Sequence, residues 1–373
     1  MKITKPVILG VVAGLALSTV AAVTPASADP VSNSLVLVGS DTLQDVTNAL
    51  VNGTTVTGSS VRSVTASGAT MGSFNAFPTG SLIQVKPAGP YFTRPSGSSS
   101  GRKALAASIL GNTDPNGTTG TSMTNQVDIA RSSSNWGSNA DADNGKLLYV
   151  PFGRDAIAYA YRASTSAQET VLSHLTTAQL TAIYSAATPT VVSGVTVRPV
   201  LPQSGSGTRS TFLSDIGVTT VGTAVRSDST VAENDATQLS MDGEIIPFSA
   251  ASWIAQFNGV APSTLTAATS VHLGSPLAVA AYTGTSTLAP NATYYADGTW
   301  GRDTYLIVEY DRVNPSSAKY DATLAAAIDP SRTKSLANFG TAPATSGAVK
   351  ARFGFSTPST FTATRAYANL ANA

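Results

Sequence analysis

The stretch Ser204-Gly205-Ser206-Gly207-Thr208-Arg209 most narrows what this 373-residue chain can fold into. Before it, Val195-Thr196-Val197-Arg198-Pro199-Val200-Leu201 is rich in β-branched residues and reads as a strand. After it, from Ser210-Thr211-Phe212-Leu213 onward, apolar residues return at helical spacing. The order is therefore strand, glycine-rich turn, helix start. Glycine admits positive φ and has no Cβ to keep a ligand away from the backbone. The first N–H groups of a helix lack internal partners and lie at the positive end of its dipole. The hydroxyls of Ser206, Thr208 and Ser210 share that space, which makes an anion seat built from dipoles rather than formal charge. Taken alone, the same residues also suit a flexible surface loop, so the rest of the chain has to decide.

The first residues address location. Lys2 and Lys5, the apolar run Val7 to Val23, and Thr24-Pro25-Ala26-Ser27-Ala28 form a charged region, an apolar region and an Ala-x-Ala cleavage site. The expectation is a signal peptide over 1–28, a mature start at Asp29 and a secreted product. The apolar run is short for a membrane span. Cysteine is absent, which excludes disulfides, thiolate metal sites, a cysteine nucleophile and a lipid anchor at the cleavage site. The 22 basic and 21 acidic residues nearly cancel. Without a basic patch, nucleic acid and anionic membrane are poor partners. Two histidines, His174 and His272, are too few for the usual zinc sets, and neither lies in a motif for a Ser-His-Asp triad. No cofactor, no metal and no enzymatic activity are expected. His174 reads as a helix-surface residue.

Along the chain, Leu35-Val36-Leu37-Val38 reads as a strand that runs into Gly39-Ser40-Asp41-Thr42-Leu43 and a helix. Asp41 and Thr42 are N-cap types, so capping alone could account for them. A strand near Leu82 to Val85 precedes Ser96-Gly97-Ser98-Ser99-Ser100-Gly101-Arg102-Lys103 and a helix over Ala104 to Leu110. Gly111 to Gln126 reads as a loop. The strand Val127 to Ala130 leads into the donor-rich Arg131-Ser132-Ser133-Ser134-Asn135. Leu147 to Phe152 and Ala156 to Tyr161 are strands, and Leu175 to Tyr184 is a helix with a threonine cap. Val231 to Ser240 reads as a polar helix, Gly243 to Phe248 and Arg302 to Tyr310 as strands, and Asp321 to Ile328 as a helix. Alternating strands and helices predict an α/β architecture with mostly parallel sheets. Ligands of such sheets bind beyond the carboxyl ends of the strands, where these junctions gather.

Five segments in order resemble the substrate-binding proteins of phosphate ABC importers. They are Gly39-Ser40-Asp41-Thr42-Leu43, Ser96 to Lys103, Asp128-Ile129-Ala130-Arg131-Ser132-Ser133, Leu175 to Tyr184, and Gly205-Ser206-Gly207-Thr208-Arg209. The resemblance implies a two-lobed Venus-flytrap fold of the periplasmic-binding-protein type II class. It also implies a small tetrahedral oxyanion, inorganic phosphate above all, held in the interlobe cleft of a monomer, with an ABC permease as partner. Carried over, Thr42 and the Leu43 N–H would donate from one lobe together with Ser98, and Ser206, Gly207 and Thr208 from the other. Two departures stand out. Pro202 occupies the place of the family's arginine before the glycine-rich turn, and Ser133 that of its carboxylate. Arg131 or Arg209 would then supply the positive charge, and Asp41 the proton acceptor. The expected domain division is lobe 1 over 29–152 and 271–373 and lobe 2 over 153–270, with a hinge between them. The competing reading is a secreted surface or interaction protein that keeps the fold without binding a small anion. A secreted hydrolase or phosphatase would need chemistry that no motif supplies.

Overall fold

The computed structural model describes residues 34–63, 69–117, 120–266, 268, 270–277 and 279–370. The expected leader lies outside them. No helix among the described residues is long and apolar enough to cross a membrane.

The chain opens with β1 (Leu35–Gly39), α1 (Gln44–Asn52), β2 (Met71–Ser73), the hairpin strands β3 (Leu82–Gln84) and β4 (Tyr91–Thr93), α2 (Ser98–Leu110) and β5 (Ile129–Ser132). β1 is apolar and buried along its whole length, as an interior strand with both faces covered must be. It pairs in parallel with β2 on one side and β5 on the other.

β6 (Leu147–Arg162) follows. The sequence reads as two strands here, but Gly153-Arg154-Asp155 continues the extended backbone and the result is one strand of 16 residues. Then come α3 (Ser166–Leu172), α4 (Thr177–Ser185), β7 (Thr190–Val192), β8 (Val195–Pro199), α5 (Gly207–Asp215), β9 (Glu244–Ser249), α6 (Ala250–Phe257) and β10 (Val271–Gly274). Thr176 caps α4 as the sequence suggests: its hydroxyl accepts from the Gln179 N–H while the Gln179 side chain returns to the Thr176 backbone. The polar stretch 231–240 differs from expectation. It holds only a 3-10 turn at Ala236–Gln238, and Asn234 has a positive φ of 57°, which breaks any helix through it.

The last elements are β11 (Tyr282–Thr283), β12 (Ala289–Pro290), α7 (Ala292–Ala296), β13 (Gly301–Glu309), α8 (Tyr310–Val313), α9 (Ala322–Ile328), α10 (Ser346–Arg352) and β14 (Thr364–Ala366). The main sheet runs β2-β1-β5-β13-β6-β9-β8-β7, with β10 and β14 also on β6. Parallel pairs β1–β2, β1–β5 and β8–β9 lie toward its two ends. Antiparallel pairs come mainly from β6 and β13, which lie side by side in its middle.

The core falls into two bodies along those strands. Leu147, Tyr149, Val150 and Phe152 of β6 pack with Leu35, Leu37, Ile129, Leu306 and Val308 or their neighbours. Ala156 to Tyr159 and Tyr161, further along β6, pack instead with Leu180, Tyr184, Phe212, Ile245, Tyr294 and Trp300. The chain thus leaves the first body at residues 153–155. Its return is later than the expected boundary at 270: Tyr294, Tyr295 and Trp300 are still buried in the second body, and the crossing back is made by β13. Burial of these large aromatics holds residues 271–300 there.

Candidate functional site

Three junctions of the first body and one of the second face each other where β6 and β13 cross. α1 begins after Leu43, which has no capping side-chain bond, so neither Asp41 nor Thr42 is occupied by capping. The Leu43 side chain is buried in the core with Val46 and Leu50. α2 begins after Gly97, again with no capping side chain. α5 begins after Ser206, whose hydroxyl accepts from the Arg209 N–H at 3.0 Å. Glycine at two of these turns is a steric requirement. A Cβ on Gly97 would lie 2.3 Å from the Gly205 carbonyl oxygen, and one on Gly207 would lie 2.3 Å from Ser98 Oγ and 2.6 Å from Ser133 Oγ. The Ser99 N–H donates to the Gly205 carbonyl at 3.2 Å, so the two bodies touch backbone to backbone.

The hydroxyls converge in this contact. Thr42 Oγ1 and Thr208 Oγ1 are 3.4 Å apart across the bodies. Ser98 Oγ is 3.1 Å from Ser133 Oγ and accepts from the Ser133 N–H at 2.9 Å. Ser40 Oγ donates to Ser133 Oγ at 3.2 Å. Of the residues expected at the site, Thr42, Ser98, Ser133, Ser206, Gly207 and Thr208 are therefore brought together. In this arrangement the hydroxyls bond one another at the contact between the bodies.

The two expected cations stand elsewhere. Arg131 is fully buried, and its guanidinium donates to the Ser40 carbonyl (3.1 Å), Ser73 Oγ (2.6 Å) and the Phe74 carbonyl (2.6 Å). Longer contacts reach the Gly39 carbonyl and Thr47 Oγ1. Burial lowers its pKa to about 10, against the opposing pull of Asp41 and Asp45. It binds the β1–α1 and β2 segments together rather than a ligand. Arg209 donates to the Pro202 carbonyl at 2.8 Å and to Ser227 Oγ, and so braces the loop ahead of α5.

Sequence reasoning missed a different set. Arg302, on β13, donates from Nη2 to Thr208 Oγ1 at 2.9 Å and to Asp155 at 2.8 Å, and from Nε to Asp155 at 3.1 Å. Asp155 is fully buried, and its other oxygen accepts from the Ala251 N–H at the start of α6 at 3.0 Å. The signal was present: Arg154-Asp155 and Arg302-Asp303 interrupt apolar strands with charge, which buried strands tolerate only when the charges are paired. Glu233 and Asn234 come from the stretch misread as a helix. Asn234 Nδ2 reaches Thr42 Oγ1 at 3.3 Å and both oxygens of Asp41 at 3.4 Å. Glu233, 2 % exposed, accepts from Ser206 Oγ. Asp41 is held well above the ordinary carboxyl range, first by burial and then by the charge of Glu233. Burial and a neighbouring negative charge both favour the protonated form of Asp41.

Two cavities flank the hydroxyl cluster. One of about 540 Å³ is lined by Arg94, Ser98, Lys103, Gln203 and Ser206 among others. The other, about 470 Å³, is lined by Ser133, Arg154, Asp215 and Arg302 among others. Burial raises the pKa of Asp215 to about 7, against the opposing pull of Arg302. No group of three or more potential metal ligands exists among the described residues.

Comparison with known proteins gives structural neighbours and a family. Among solved structures, the chain is similar to an ABC-type phosphate transport receptor from Vibrio cholerae, at 16% identity, with 74% of this chain and 87% of that one covered and a TM-score of 0.39. It is also similar to a substrate-binding protein, assigned to a phosphate ABC transporter and holding phosphate, from Clostridium perfringens (12% identity, 80% and 93% covered, TM-score 0.43). PstS from Borrelia burgdorferi is a third (12% identity, 74% and 87% covered, TM-score 0.32). No curated protein matches. A family profile described as the PBP superfamily domain matches residues 24–332. A match over most of the chain settles the family, and the protein belongs to the PBP superfamily.

Proposed function

We propose that the protein is a secreted solute-binding protein that captures a small tetrahedral oxyanion, phosphate first among them, between its lobes. The observation that carries this reading is the meeting of Thr42 and Thr208, donors from opposite bodies 3.4 Å apart, with Ser98 and Ser133 beside them and the starts of α2 and α5 aimed at the same place. A desolvated anion must recover its hydration through many aligned donors, and this cluster offers hydroxyls and helix N–H groups from both sides. Capture makes and breaks no bond, so it calls for no acid, base or nucleophile. The lobes close by bending where β6 and β13 cross, and the ligand bridges them. The leader pattern at the first 28 residues fits export, and an ABC permease is the partner such a protein serves.

Calorimetry and a melting screen against phosphate, sulfate, molybdate, phosphonates and small sugars test the reading. Binding to the folded state alone raises the melting temperature, so phosphate is expected to stabilise the protein. Thr208→Ala is expected to weaken phosphate binding by about 1–3 kcal/mol, the cost of leaving a buried polar partner unpaired. Unchanged affinity in that variant would reject the site. Absence of stabilisation by every oxyanion would favour the alternative, a surface protein that kept the fold without the ligand.

A further inference from the structure

The geometry points to Arg302 as the cation of the oxyanion site, supplied by the crossing strand β13 and not by any loop that carries the hydroxyls. The inference rests on the oxyanion reading above and adds to it the one charged group that contacts the ligand.

Arg302 is 7 % exposed. Its Nη2 touches Thr208 Oγ1 at 2.9 Å, so the guanidinium is already in contact with a hydroxyl of the cluster. Its Nη1 is buried with no hydrogen-bond partner among the described residues. A buried guanidinium N–H without an acceptor is costly and rare, and it marks a place where an acceptor oxygen belongs. Arg302 also lines the 470 Å³ cavity together with Ser133, whose hydroxyl bonds Ser98. Arg131 and Arg209 are committed to backbone carbonyls and serine hydroxyls, which leaves Arg302 as the cation bonded to a hydroxyl of the cluster.

Asp155 fixes the guanidinium by two bonds to one oxygen, and the Ala251 N–H fixes Asp155. The plane of the guanidinium is thus set before any ligand arrives, which spares the ordering cost of a long side chain. The pair is also close to neutral. An anion bound there gains directional, charge-assisted bonds without a large net field, so selection depends on oxygen geometry more than on charge alone.

Removing Arg302 alone would strand the Asp155 carboxylate, so the test uses the neutral pair Arg302→Gln with Asp155→Asn, and separately Arg302→Lys. Phosphate binding is measured by calorimetry on protein shown by circular dichroism to be folded. The expected result is a loss of affinity of about 10- to 100-fold in the double variant, the worth of a charge-assisted hydrogen bond. A smaller loss is expected in Arg302→Lys, which keeps the charge and the Asp155 contact but not the fork. A parent that binds phosphate while both variants bind it within about threefold overturns the role of Arg302 and leaves the oxyanion site standing. A parent that binds none of the oxyanions overturns both.

Discussion

Replacing Gly97 by alanine is expected to abolish ligand capture while leaving both lobes folded. In the closed structure a Cβ at this position would lie 2.3 Å from the Gly205 carbonyl oxygen, 2.6 Å from its carbon and 2.9 Å from the Ser206 nitrogen. All three are backbone atoms of the opposite body, so no rotamer change relieves the clash. The φ of Gly97 is also +100°, a conformation that costs a residue bearing a Cβ about 1–3 kcal/mol. Both penalties act in the closed form, whereas with the lobes apart the clash is gone and the turn is free to relax. The variant should therefore show a parental circular dichroism spectrum, no calorimetric phosphate signal, and no shrinkage in solution scattering when phosphate is added. Parent-like compaction with phosphate would refute it. Gly207→Ala is expected to be milder, because its obstacles are the rotatable hydroxyls of Ser98 and Ser133.

The second large effect concerns pH. Asp41 from one body and Glu233 from the other meet in the closed contact, joined by Asn234, and burial together with Glu233 raises the Asp41 pKa well above its ordinary value. Asp45 adds to that push, while Asp41 in turn favours the charged form of Arg131. The folded protein consequently favours a proton on Asp41 that the unfolded chain releases near pH 4. A carboxyl raised in this way contributes its stability in full at low pH. The contribution is lost as pH climbs from the ordinary carboxyl range through the raised value. One proton gives a slope of at most about 1.4 kcal/mol per pH unit, so two units can change the folded-to-unfolded ratio by as much as about a hundredfold. Urea unfolding from pH 4 to 8, compared between the parent and the double variant Asp41→Asn with Glu233→Gln, isolates this share from all other titrations. The parent should lose stability relative to the variant as pH rises. Parallel curves would show that the Asp41 carboxyl is not raised in the folded protein.

How much of this was legible in the sequence depended on whether the signal was local. The junctions were legible because each is a short run of strand, small residues and helix, and Thr42, Ser98, Ser133 and Thr208 follow from them once the junctions meet. Position did not reveal orientation. Arg131 lies in β5 just ahead of the site loop, yet its side chain turns toward Ser40, Ser73 and Phe74 and is consumed by carbonyls and a hydroxyl. Arg302 and Asp155 are 147 residues apart, and only the antiparallel register of β6 and β13 puts them opposite each other. No periodicity in either segment encodes that register. The late return of the chain was hidden for a related reason: the elements from β10 to α7 are short, and it is the burial of Tyr294, Tyr295 and Trp300 that ties this stretch to the second body.

The join between the bodies has a mechanical consequence. Two neighbouring strands of one sheet run through it, bonded to each other from Gly301 and Ala156 through to Glu309 and Leu147, with one register slip between Thr304 and Tyr305, and Ala251 and Ala255 of α6 pack against the first body beside them. Such a ribbon resists sideways swing far more than a pair of loose tethers would, and a bulge localises twist. The halves should thus part mainly by twisting about these strands, within three residues of Arg302, so that the guanidinium rides on the axle of the motion and not at its rim.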